Sequence, residues 1–323
     1  MVMKKLEEIQ KIAVIGAGTM GPGMALVFAQ YGYKANLFSR RHETLNKAKT
    51  ILQTSLNTLS EFGILKQDEI EPILSRVVLT DSLKEAASDV DVICETVAES
   101  RVIKKGIFEQ LDHLCPPDTI FTSNTSSLNI FDLVPGPRLS NTLIAHWFAP
   151  PHIVPVVEVV RGPNTTDEVI DTIIHLLKKV GRASVRMEKF VPGFVINRLY
   201  RALGREIFFL LDHGYITAEQ LDLAAKAALA PRTMILGLVQ RYDFTGLDIS
   251  AKNLENPGFF DPPVDNRPKS LFDLVEKGHL GVKTGKGFFD YSGRKLEEIL
   301  KERDINLLKI YKSTEFCLEE KDK

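Results

Sequence analysis

His146 and Glu158 stand equally far from His152, on either side of a stretch rich in proline (Pro150, Pro151, Pro155). The segments flanking that stretch, Thr142–His146 and Val156–Val160, read as strands. A strand–turn–strand path therefore brings the imidazole and the carboxylate face to face. Such a pair is an acid–base unit, because the carboxylate fixes the imidazole tautomer and raises its basicity. A single histidine is more often a satisfied structural residue, and a single glutamate is often a charge on a strand edge. Glu158, however, lies in VVEVV, and a carboxylate in an apolar run needs a partner.

A second constellation lies near the start, in KIAVIGAGTMGPGM. Gly16 makes a tight turn, Gly18 lets backbone approach a pyrophosphate, and Gly21 lets a helix pack close to a strand. Thr19 and Met20 complete the loop, and the helix that follows offers free N–H groups and a positive dipole end. Glycine loops also serve ordinary turns. Here the loop sits between a strand and a helix, which favours a dinucleotide site. After such a loop an Asp or Glu is expected at the end of the second strand, to accept from the ribose 2′-OH. The chain instead reads LFSRR, with Ser39, Arg40 and Arg41. Serine removes the charge that would repel a 2′-phosphate, and arginines can pair with it. The reading is NADP, with NAD as the alternative; two arginines after a strand can also be an ordinary solvated loop.

The elements that must position these residues come from periodicity. Ile12–Ile15, Lys34–Phe38, Val77–Thr80, Val90–Glu95, Thr119–Ser123, Thr142–His146, Val156–Val160 and Ala183–Arg186 read as strands. Helical stretches between them, at about 42–61, 67–75, 102–114 and 165–180, predict an α/β fold: a Rossmann-type, doubly wound, mostly parallel sheet. After Pro192-Gly193 the strand-like runs nearly vanish. A long amphipathic helix is expected at 195–212, and a second from the capping box at Thr217 to about Leu229. The expected division is a dinucleotide-binding domain over 1–190, a helical substrate and dimerisation domain over 191–293, and a charged terminal helix or tail over 294–323. With 323 residues, 44 % apolar and 26 % charged, the chain is long enough for two cores. A net charge of −1 gives no sign of a nucleic-acid partner. No run approaches the roughly 18 apolar residues of a membrane span. Cys94, Cys115 and Cys317 are scattered, with no CxxC, which argues against disulfides or a cysteine metal site and fits the cytoplasm.

Four further motifs, SNTSSL (123–128), HWFAPPHIVPVVEVV (146–160), PGFVINR (192–198) and GVKTGKGFFDY (281–291), resemble the L-3-hydroxyacyl-CoA dehydrogenase family, whose relatives include a lambda-crystallin and gulonate dehydrogenase branch. The resemblance runs from about residue 11 to 291 in order. It implies that His146 is the general base for a 3-hydroxyl and returns the proton in reduction. It also implies that Ser126 and Asn197 hydrogen-bond the reacting oxygen, and that Glu99, Lys104, Asn124 and Lys283 lie near the cofactor. By local chemistry alone, Ser126 would pass as a turn residue, Asn197 as a helix cap, and the last four as surface or loop residues. A homodimer through the helical domain is likewise implied.

Two departures bear on substrate. The family's H-x-x-N-P has Ala149 in place of the asparagine. After Lys47 and Lys49 the chain reads TILQTSLNTLSEFG, without the bases expected for CoA phosphates. The departures weaken CoA binding more than dehydrogenase chemistry, and the first functional reading, which the resemblance implies, is an NAD(P)-dependent, short-chain 3-hydroxyacyl-CoA dehydrogenase. The alternatives are a dehydrogenase of a free 3-hydroxy acid, gulonate-like, and a non-catalytic nucleotide-binding protein, against which the intact His146, Glu158, Ser126 and Asn197 argue.

Overall fold

The run KIAVI forms strand β1 (Lys11–Ile15), buried from Ile12 onward. In the computed structural model, which describes residues 6–258 and 260–317, β1 lies inside an eight-stranded sheet of order β3-β2-β1-β4-β5-β6-β7-β8. The other strands are β2 (Lys34–Phe38), β3 (Val77–Thr80), β4 (Val92–Glu95), β5 (Ile120–Ser123), β6 (Thr142–Trp147), β7 (Val156–Arg161) and β8 (Ala183–Met187). Every neighbouring pair is parallel except β6 with β7. The central strands β4, β5 and β6 are buried throughout, as near-continuous apolar strands covered on both faces must be.

Helices α1 (Gly21–Gln30), α2 (His42–Glu61), α3 (Ile70–Leu74), α4 (Leu83–Ala87), α5 (Arg101–Leu114) and α6 (Asp167–Lys179) connect or cover the strands. Helix α1 is buried from Gly21 to Ala29, which is why it shows no polar face. Helix α6 has one, burying Val169, Ile170, Ile173, Leu176 and Leu177, and Thr166 caps it by accepting from the Val169 N–H. The chain passes from β1 to β2 on one side and places β4 on the other. The crevice at the ends of β1 and β4 is thus a topological switch point, where open α/β sheets bind ligands.

This is the expected doubly wound architecture, and β2 and β3 have the expected bounds. Three details differ. The 67–75 stretch is a 3-10 turn (Gln67–Glu69) followed by the short α3. Helix α4 was not expected; Ser82 caps it through the Glu85 N–H. The helix expected to stop near Leu229 instead continues. Ala218–Ala224 (α8) passes through a π-helical segment, Ala225–Leu229, into α9 (Ala230–Leu236). Pro231 brings no N–H to this helix, and the wide turn just before it lets the Ala230 N–H reach Ala225 O.

The chain divides into two compact units, Met1–Asn197 and Arg198–Lys323. The second is helical, with most of α7 (Ile196–Asp212), then α8 and α9, α10 (Gln240–Thr245), α11 (Leu247–Glu255), α12 (Lys269–Glu276) and α13 (Leu296–Ser313). The charged terminal segment is helical as α13; residues 318–323 of it lie outside the described residues. No helix among the described residues is long and apolar enough to cross a membrane.

Candidate active site

The glycine loop is built as its spacing requires. Gly16 has φ +126°, and a Cβ there would come 2.5 Å from Thr96 O at the end of β4. At Gly21 a Cβ would lie 1.9 Å from Gly16 O, so the helix can start only on a glycine. At Gly18 a Cβ would meet nothing within 4 Å, and Gly18 and Thr19 are exposed. The open side of the loop is therefore at Gly18, where a pyrophosphate needs room. Met20 gives α1 no side-chain cap, so the first N–H groups of the helix stay available to an anion. These features fit a dinucleotide.

Beside the loop, the Gly16 N–H donates to Phe38 O, which sets Ser39 next to the glycines. Ser39 is half-buried and its Oγ accepts from the Arg41 N–H at 3.3 Å. Arg40 and Arg41 are exposed, and neither forms an ion pair with a carboxylate of the described residues. The nearby acids are occupied: Glu43 pairs with Lys47 at 2.6 Å, and Asp81 with His42 at 2.9 Å.

Past β4 and β5, a polar network joins the crevice to the rest of the site. Asn124 accepts from the Trp147 N–H at 2.8 Å through Oδ1 and donates to Thr96 Oγ1 at 3.2 Å, and its own N–H donates to Glu95 O. One side chain thus ties the ends of β4, β5 and β6. Glu99 Oε1 accepts from Thr125 Oγ1 (2.6 Å) and from the N–H groups of Ser126 (3.0 Å) and Ser127 (3.1 Å), holding the turn that exposes Ser126. Burial opposes ionisation of Glu99, but the Thr125 hydroxyl, the Lys104 charge and the two N–H donors outweigh it, and the carboxyl is held below its ordinary range. Lys104 is buried, with its ammonium 2.8 Å from Glu95 Oε1 and 3.4 Å from Glu99 Oε2. Glu95 also accepts from Ser123 Oγ and the Val97 N–H. Sequence reasoning missed Glu95. The available signal was a carboxylate closing the apolar run VIC, which must find a cation or donors.

The dyad forms across the one antiparallel pair of the sheet. His146 and Glu158 are directly opposed in the β6–β7 register, and His146 Nδ1 lies 2.8 Å from Glu158 Oε2. Glu158 is fully buried and His146 nearly so. The other carboxylate oxygen, Oε1, accepts from the Val195 and Ile196 N–H groups, both at 2.9 Å, where α7 begins. Burial would raise the Glu158 pKa, yet the His146 hydrogen bond, the two amides and the imidazole charge together lower it. An ionised Glu158 accepting from Nδ1–H leaves the Nε2 lone pair of His146 as a base. Phe148 packs edge-on against the imidazole at 4.6 Å between centroids, and Phe194 lies against it at 5.3 Å. Ser126 follows Asn124 at the end of β5, and Asn197 is half-buried in the first turn of α7, directly after the two amides. Ala149 is exposed in the loop after β6. Lys283 belongs to the second unit, exposed in the turn Val282–Thr284.

A dinucleotide crevice joined through one strand end to a buried His–Glu pair defines an oxidoreductase of the Rossmann class. The family model described as 3-hydroxyacyl-CoA dehydrogenase, NAD binding domain, matches residues 11–190, and that for the C-terminal domain matches 193–291. The chain belongs to the 3-hydroxyacyl-CoA dehydrogenase family. It is 32 % identical to a probable 3-hydroxybutyryl-CoA dehydrogenase of Bacillus subtilis, over 88 % of this chain and 98 % of the relative. It is 31 % identical to a 5-formyl-3-hydroxy-2-methylpyridine 4-carboxylate 5-dehydrogenase of Mesorhizobium japonicum, over 94 % of this chain and 97 % of that one. A crystal structure of an enzyme of the latter name, described as an NAD+-dependent dismutase, superposes with a TM-score of 0.85 at 29 % identity, covering 95 % of this chain and 99 % of that chain.

Proposed function

We propose that this protein interconverts a 3-hydroxyacyl compound and its 3-oxo form. The observation that carries the reading is the buried His146–Glu158 pair, tied through Asn124 to the glycine-loop end of the sheet. A bound nicotinamide supplies the hydride acceptor. Gly16, Gly18, Thr19, Met20 and Gly21 hold the pyrophosphate, and Glu99, Lys104 and Asn124 lie on the cofactor side. His146 Nε2 takes the proton of the 3-hydroxyl and returns it in reduction. Glu158 stabilises the imidazolium, while Ser126 and Asn197 hydrogen-bond the reacting oxygen.

The first substrate is a short-chain CoA thioester, in keeping with the family and the Bacillus relative. A free hydroxy acid is the second reading. Its support is the Mesorhizobium relative, named for a free pyridine carboxylate and not for a CoA thioester, whose match to 94 % of the chain must run past residue 291, where the family models end. In α2, moreover, Lys47 is already paired with Glu43. A panel of 3-hydroxyacyl-CoAs and free hydroxy acids, assayed with both cofactors, tests this. Turnover of short acyl-CoAs is expected, turnover of free acids alone selects the second reading, and turnover of neither overturns the proposal.

Two finer readings belong with it. The cofactor is NADP, with Ser39, Arg40 and Arg41 around the 2′-phosphate; the support is an exposed arginine pair beside the loop, neither member ion-paired among the described residues. The protein is a homodimer through its helical unit. There the helices bury little beyond Leu308, while Leu199, Leu203, Leu223, Phe244 and Leu254 are exposed, apolar side chains that a second copy would cover. Sedimentation equilibrium is expected to give twice the chain mass, and a monomer at micromolar concentration would refute the dimer.

A further inference from the structure

We propose that the turn Val191–Ile196, and Phe194 in particular, is a positioning device that sets both members of the dyad at once. Phe194 has φ +51° and is 1 % exposed. Gly193 before it has φ +79°, and the Phe194 N–H closes the turn on Val191 O at 3.0 Å. A bulky residue at positive φ is a true outlier, and it persists only where its surroundings over-determine it.

Two sets of contacts do so here. On the side-chain side, the Phe194 ring lies 5.3 Å from the His146 imidazole and Phe190 packs edge-on against it at 6.0 Å. On the backbone side, the next two N–H groups, of Val195 and Ile196, converge on Glu158 Oε1. The seat of the ring and the direction of the amides are linked through the backbone of one residue. Moving either displaces the imidazole, the carboxylate, or both.

Phe194 also belongs to the core cluster that includes Ile144 and Val160, so a purely structural role must be separated from positioning. Loss of core packing lowers the folded fraction and leaves the properties of folded molecules unchanged. Loss of positioning changes how His146 titrates. Neither His146 nor Glu158 hydrogen-bonds a further titratable side chain among the described residues, and on neighbouring β8 Arg186 is already paired with Asp171 and Glu188. The His146 titration therefore reads its coupling to Glu158.

The experiment follows the imidazole of His146 by NMR in ring-labelled protein, with a His146→Gln sample to assign it, beside kcat/KM as a function of pH. In Phe194→Leu, Glu158 loses its aim and the imidazolium part of its counter-charge. The midpoint of the pH-dependent ring signals and the acid limb of kcat/KM are expected to move together to lower pH. We expect kcat to fall at least about tenfold, with cofactor KM within about twofold. Gly193→Ala keeps the ring but disturbs the turn at positive φ, gives the same downward shift, and serves if the leucine variant does not fold. A wild-type His146 titration in both variants overturns the proposal, whatever their kcat. The kinetic arm rests on the dehydrogenase reading, whereas the NMR arm does not. Full turnover by His146→Gln would remove that reading and leave the titration to decide on Phe194.

Discussion

A Cβ added to Gly23 would lie 2.6 Å from Pro151 Cγ and 3.2 Å from His152 Nδ1. The first turn of the nucleotide helix and the loop that carries the chain from His146 to Glu158 thus touch without space for a methyl group. Alanine in place of a helical glycine ordinarily stabilises by about 1 kcal/mol. At Gly23 we expect the reverse, a net loss of about 1–3 kcal/mol from overpacking, together with lower kcat because the loop after His146 is displaced. Urea unfolding and steady-state kinetics of Gly23→Ala check both, and a more stable, fully active variant would show that the loop yields freely.

Removing the proposed base should lower kcat by at least about 10²-fold in His146→Gln, while cofactor affinity, measured by fluorescence titration, stays near wild type. In Glu158→Gln the imidazolium loses its counter-charge. The acid limb of the pH–rate profile should then move to lower pH. Near-full activity in His146→Gln would end this mechanism.

The dyad was legible in the sequence because strand periodicity and a shared distance from His152 fix which residues oppose each other, and the β6–β7 register obeys that spacing. The strands β2 and β3 were legible for a similar reason, as short β-type runs bounded by turn residues. Glu95 escaped because its partner Lys104 looks, in sequence, like one more surface charge on a helix; only the fold shows it buried. Phe194 escaped more completely. Nothing in a phenylalanine announces a left-handed backbone, and the Val195 and Ile196 N–H groups that hold Glu158 carry no side-chain signature at all. The π-helical segment at Ala225–Leu229 is likewise a backbone response to Pro231 and not a propensity.

Ala149 tests how far the substrate has moved from the family's usual one. If the site simply lacks a hydrogen-bond donor, Ala149→Asn should raise turnover, by up to about 10²-fold where that donor meets a developing oxyanion. A fall in kcat would show a pocket rebuilt for another substrate. Unchanged kinetics would place residue 149 away from the reacting atoms, in keeping with its exposure.

A single bidentate arginine contact to a 2′-phosphate contributes roughly 1.5–3 kcal/mol. The expected preference for NADP over NAD is therefore about 10- to 100-fold in kcat/KM. Ser39→Asp should reverse it, and Arg40→Ala and Arg41→Ala should each weaken NADP alone. Rising salt should shrink the preference, because both guanidinium groups are exposed. Equal use of the two cofactors by the wild type would mean that both arginines serve only the solvent.

Acid stability draws on two depressed carboxyls of the site. Glu158 and Glu99 both have folded-state pKa values below their unfolded ones. Each therefore contributes stability that is fully present above the unfolded value of about 4.3 and is lost as pH falls through the folded value. Unfolding midpoints in urea should drop steeply below about pH 4.5 in the wild type. The drop should be shallower in Glu158→Gln, whose amide has no proton to gain, and an identical pH dependence in the two proteins would contradict the assignment.

The Asn124 side chain has a consequence for how such an enzyme diversifies. By bonding to Thr96 beyond β4 and to Trp147 in β6, it fixes the span between cofactor loop and dyad as rigidly as a strut. Mutational drift that altered this span would harm redox chemistry with every substrate alike. Drift at exposed positions outside the strut, Ala149 among them, leaves the span untouched. A change of substrate that leaves Asn124 in place therefore leaves the distance between the glycine loop and the His146–Glu158 pair as it is.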